Sequence, residues 1–138
     1  MSKIRFSALL LCTLVVGCGS GGVEKVTGTL KKDGKPYTCD EKMYVQIVFI
    51  PEKEGTNPTP ATFHPSDGTF EITPTKTTPG LTKGQYKVTV EIRDYSNPPG
   101  PGGKKGQPKD LLSGRYDAKN TSLVVTVDGK TPIDLDVK

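Results

Sequence analysis

Residues 85–93 read QYKVTVEIR, and this stretch constrains the fold more than any other. Tyr86, Val88, Val90 and Ile92 fall on one side, and Gln85, Lys87, Thr89, Glu91 and Arg93 on the other. A period of two sustained over nine residues is a β-strand with one buried face. Leu123, Val125 and Val127 repeat the pattern, as do Ile133, Leu135 and Val137 against Asp134 and Asp136. Residues 43–50 (MYVQIVFI) carry apolar side chains on both faces, which predicts a central strand with Val45, Ile47 and Phe49 inward and Pro51 at its end. Val26, Gly28 and Leu30 alternate with Thr27, Thr29 and Lys31, Thr69 to Ile72 forms a further strand, and Thr62-Phe63-His64 is expected as a short edge strand. Asp-Gly pairs at 33–34, 67–68 and 128–129 supply turns between the runs. The expectation is a single all-β domain, an antiparallel β-sandwich of about seven strands. Its core would include Tyr86, Val88, Val90, Ile92, Ile47, Phe49, Leu123, Val125 and Leu135.

That core has to hold the fold by itself. Of three cysteines, Cys12 and Cys18 lie in or beside an N-terminal leader, so Cys39 has no intramolecular disulfide partner. With 16 Gly and 12 Pro and no helical periodicity beyond the leader, the chain is rich in turns. Residues 94–110 (DYSNPPGPGGKKGQPKD) interrupt the rhythm and are expected to form a long exposed, mobile loop.

The N-terminus is built for export. Lys3 and Arg5 precede a nearly unbroken apolar run from Phe6 to Val16, too short to span a bilayer but suited to a secretory signal. Val15-Val16-Gly17-Cys18 then resembles the bacterial lipobox, in which an aliphatic and a small residue precede a cysteine. The resemblance implies cleavage after Gly17 and acylation of Cys18 by fatty chains such as palmitate, because a thiolate is the readily alkylated side chain. Two or more acyl chains give stable anchoring where one does not. The expected organisation is a signal peptide over 1–17, a lipidated Cys18 with a flexible tether over 18–22, and the β domain over 23–138. Loss of Lys3 and Arg5 lowers the formal charge from +4 to +2, and so modest a charge offers no case for nucleic-acid binding.

The order of motifs in the β domain carries a second resemblance. VTGTLKKDGKP, VQIVFIP, SDGTFEI, KGQYKVTVEI and GRYDAKNTSLVVTVDGKTPIDLDV follow one another as in small bacterial lipoproteins with a carboxypeptidase regulatory-like domain, of transthyretin-like or Ig-like architecture. The resemblance covers residues 23–138. It implies a seven-stranded antiparallel sandwich and says little about chemistry, because a fold does not fix a function. A hydrolase branch of the transthyretin-like fold uses several His and Arg residues and a Tyr-Arg-Gly-Ser type C-terminus. Here there is one His, and beyond Arg5 there are Arg93 and Arg115, and the chain ends DLDVK.

No residue pattern points to catalysis or to a cofactor. His64 lies in His64-Pro65-Ser66-Asp67-Gly68, whose residue types specify a turn. Asp128, Asp134 and Asp136 have calcium-type oxygen ligands, but Asp134 and Asp136 alternate with core residues and read as a solvent face. Zinc would need more than one His and one unmodified Cys, and Cys39 lacks the surroundings of a nucleophile. Asn120-Thr121-Ser122 matches a glycosylation pattern and reads as chance in a bacterial chain. Lys104, Lys105 and Lys109 could form a surface that meets anionic headgroups or envelope polymers. The functional expectation is a non-catalytic lipoprotein of the bacterial cell envelope, in the outer membrane or on the periplasmic face of a membrane. Cys18 would hold the membrane, and the β domain would bind or scaffold an envelope protein or polysaccharide. A hydrolase or accessory enzyme on the same fold is the alternative.

Overall fold

The computed structural model describes residues 25–53, 57–76, 80–96 and 108–138, and all regular structure among them is β-strand. Eight strands follow one another: β1 (Val26–Lys32), β2 (Lys35–Pro36), β3 (Met43–Pro51), β4 (Thr59–His64), β5 (Thr69–Ile72), β6 (Gly84–Asp94), β7 (Val124–Val127) and β8 (Ile133–Val137). Hydrogen bonding runs in the order β2-β1-β5-β4-β3-β6-β7 with every neighbour antiparallel. β8 joins on the other side of β1, and the seven-strand sheet curls into a half-barrel.

Alternation dictates which side of the curl is dry. In β6, Tyr86, Val88, Val90 and Ile92 are buried while the residues between them are half-buried, and β8 alternates without exception. Ile47 and Phe49 of β3, Leu30 of β1 and Phe70 of β5 complete one shared core. The Phe49 ring stands 6.2 Å from that of Tyr86 on neighbouring β6 and 5.9 Å from that of Phe70 on β5, which does not adjoin β3, so separate strands meet across the interior. β4 makes this possible. Its first half, Thr59 to Ala61, pairs with β3, and its second half, Thr62 to His64, pairs with β5.

Local chemistry sets the corners. Asp33 and Gly34 both take positive φ, 52° and 78°, as a two-residue hairpin of the twist-matching type requires. Gly28 sits on the core face of β1, where a Cβ would collide with the Phe70 ring and the Ile133 carbonyl. Only a residue without a side chain lets Phe70 cross β1 there.

Two expectations, the edge strand and the wholly antiparallel arrangement, need correction. Thr62-Phe63-His64 is not an edge: β4 lies between β3 and β5, and its two proline-free inner positions, Ala61 and Phe63, pack on the core. The last two strands do not form a hairpin with each other, because β7 pairs with β6 and β8 pairs with β1. That second pairing is parallel over Gly28↔Ile133 to Lys32↔Val137, so the strands are not all antiparallel. Strand alternation is the same in either direction, which is why periodicity could not distinguish the two arrangements.

Candidate functional site

The most developed surface feature begins on the outer side of β3. Tyr44, Gln46, Val48 and Ile50 point away from the core and face Arg93, Glu91, Thr89 and Lys87 of β6 in direct register. Opposite neighbours of this kind lie close enough to act as one surface. Arg93 donates from Nε and Nη2 to Glu91 Oε1 at 2.8 and 2.7 Å. Its guanidinium is held above its usual range by Glu91 first and by a hydrogen bond with Tyr95 second. Tyr44, opposite Arg93, and Tyr95, hydrogen-bonded to it, are each 48 % exposed, so two large side chains stand uncovered beside one arginine.

Beside this cluster the chain from Asp110 to Asn120 folds through successive turns and overhangs the sheet. Asp110 fixes its start. Oδ1 accepts from the amides of Ile92 and Leu112, both at 3.1 Å, and Oδ2 from that of Gly114 at 2.7 Å. Ser113 and Gly114 then take positive φ, 52° and 70°. Asp117 closes the next turn by accepting from the amides of Lys119 and Asn120 at 2.9 and 2.8 Å. Leu112 and Tyr116 point inward and are buried, and the Tyr116 hydroxyl accepts from the Lys138 amide at 3.0 Å. Between these turns and the outer face of β3 and β6 lies a groove of about 450 Å³. Val48, Ile50 and Ala118 give it an aliphatic lining, and Gln46, Thr89, Glu91, Asp110 and Asp117 give it a polar one. Its volume lies within the range of small-ligand pockets.

Of the described residues singled out in the sequence as candidate sites, only Lys109 and Asn120 lie near this face. Cys18, Lys104 and Lys105 lie outside the described residues, and Lys109 is exposed next to Asp110. Cys39 is half-buried, and burial followed by the Asp40 charge pushes its thiol up, away from the thiolate a nucleophile needs. His64 ends β4, and its carbonyl accepts from the Gly68 amide at 3.0 Å in the turn expected there. The Asp67 carboxylate serves the same turn, accepting from the Thr69 hydroxyl at 2.7 Å and amide at 2.9 Å. Asp134 pairs with Lys31 at 2.6 Å, and Asp136 accepts from the Gly34 amide at 3.1 Å. Asp128 takes the amides of Lys130 and Thr131 and the Thr131 hydroxyl, and these bonds hold its carboxyl down at about 2. The Asn120 side-chain amide donates to Gly114 O and Asp117 Oδ2, each at 3.1 Å. Among the described residues no three His, Cys, Asp or Glu side chains converge to hold a metal ion.

Sequence reasoning missed the Tyr44–Arg93–Tyr95 cluster and the groove. The signal for both was the run MYVQIVFI, whose outer face carries Tyr, Val and Ile where a solvated face would be polar. Comparison with protein-family models, with curated proteins and with solved structures found no match for the chain.

Proposed function

We propose that this chain is a non-catalytic lipoprotein of the bacterial cell envelope, anchored through lipid on Cys18, whose β domain is a binding or scaffolding module. The observation that carries the binding role is the uncovered Tyr44 and Tyr95 beside Arg93, next to the 450 Å³ groove. Tyrosine and arginine are enriched where proteins bind one another, and lysine and glutamate are depleted there. The anchor rests on the register of apolar run, Gly17 and Cys18 in the sequence.

Topology adds a directional argument. The chain enters β1 at the rim of the sheet that also holds the start of β6 and the end of β3. Tyr44 pairs with Arg93, at the opposite end of β6. Arg93 lies nine residue steps along β6 from Gly84, which is about 30 Å at ~3.3 Å per residue. The aromatic end, with Lys109 beside Asp110, would then face away from an anchor at Cys18 and toward the envelope space. The partner of this face is an envelope protein or polysaccharide. The finer architecture proposed is a sandwich of transthyretin-like type, as in carboxypeptidase regulatory-like domains. β1, β2, β5 and β8 would form one layer and β3, β6 and β7 the other, with β4 shared. The split pairing of β4 supports that division.

Two variants test the two halves of the proposal. Metabolic labelling with a fatty-acid probe should mark the natural chain and not Cys18→Ala, which should also leave the membrane fraction. A Cys18→Ala chain that still labels would overturn the anchor. Tyr44→Ser with Tyr95→Ser should keep the melting temperature and lose partners captured by crosslinking on whole envelopes. Undiminished capture would remove this face from the binding role.

A further inference from the structure

We draw no further inference here: the strongest candidate, the groove between the outer face of β3 and β6 and the turns that follow Asp110, belongs to the binding face already described, has its Glu91, Asp110 and Asp117 carboxylates engaged by Arg93 and by the chain's own amides, and carries nothing that shows what covers its aliphatic lining.

Discussion

β6 has two long edges, and the chain satisfies them in different ways. Along the inner edge, β3 pairs with it residue by residue from Met43↔Asp94 to Pro51↔Tyr86. Along the outer edge, β7 covers Gly84 to Lys87, and beyond that the neighbour is the irregular segment 110–123. There the Val88 amide finds the Leu123 carbonyl at 2.9 Å, the Val90 amide finds the Tyr116 carbonyl at 3.1 Å, and the Ile92 amide finds the Asp110 carboxylate at 3.1 Å. The Thr121 hydroxyl donates to the Val88 carbonyl at 2.6 Å. Every buried amide needs a partner, yet the partner need not be a strand. A repeating ladder and a set of single, side-chain-specific bonds thus complete the same strand. They differ in how much one substitution can undo.

The largest effect should come from the ladder side, through the core it encloses. Ile92→Ala should lower stability by about 2–5 kcal/mol, as truncation of a fully buried aliphatic residue does, read as a lower urea midpoint. Lys87→Ala, on the outer face of the same strand, should stay within ~0.5 kcal/mol. Equal losses would break the assignment of faces. On the irregular side, Asp110→Ala orphans three amides at once and should cost about 1–3 kcal/mol. Hydrogen exchange sharpens the contrast: the Ile92 amide should lose protection while the Val48 amide, on the ladder, keeps it. Tyr116→Phe deletes only the acceptor for the Lys138 amide and should cost about 1 kcal/mol by thermal unfolding.

The smallest effect belongs to acid. The Asp128 carboxyl lies at about 2 in the folded chain against an ordinary 3.8, because the ionised form accepts from Thr131 and Lys130. A lowered folded value means that its contribution is present above 3.8 and disappears as pH falls toward 2. Asp128→Asn should therefore lower the melting temperature slightly above pH 4 and flatten its profile between pH 4 and pH 2. An identical slope in both proteins would remove Asp128 from the acid response.

The same contrast explains which parts of the molecule could be read from sequence. The faces of β6 and β8, the inward Ile47 and Phe49 of β3, and the Asp33-Gly34 turn all follow from period two and from turn chemistry, which are local. Leu112, Tyr116 and Leu81 are core residues that no alternation announces, because each stands alone in turn-forming surroundings. Asp110, Asp117 and Thr121 act through bonds to distant or irregular backbone, a role that residue type permits but does not locate. The outer face of β3 was half legible. Its apolar residues on both sides pointed to a central strand, and that is where β3 lies, yet Val48 and Ile50 line a groove rather than a second core.

Strand β1 lies between antiparallel β5 and parallel β8, and this placement sets a clock. Lys31 and its partner Asp134 stand 103 residues apart, so one whole flank of β1 must wait for the last strand to be made. Closing a loop of that length adds little to the equilibrium cost, since each doubling adds only about 0.6 kcal/mol. It weighs on rate instead, because sheets joined through distant pairings fold slowly. Until residues 133–137 arrive, β1 offers an unpaired row of amides and carbonyls to whatever extended chain is nearby. The interval between synthesis of β7 and docking of β8 is thus the period in which a nascent molecule is most exposed to pairing with a neighbour.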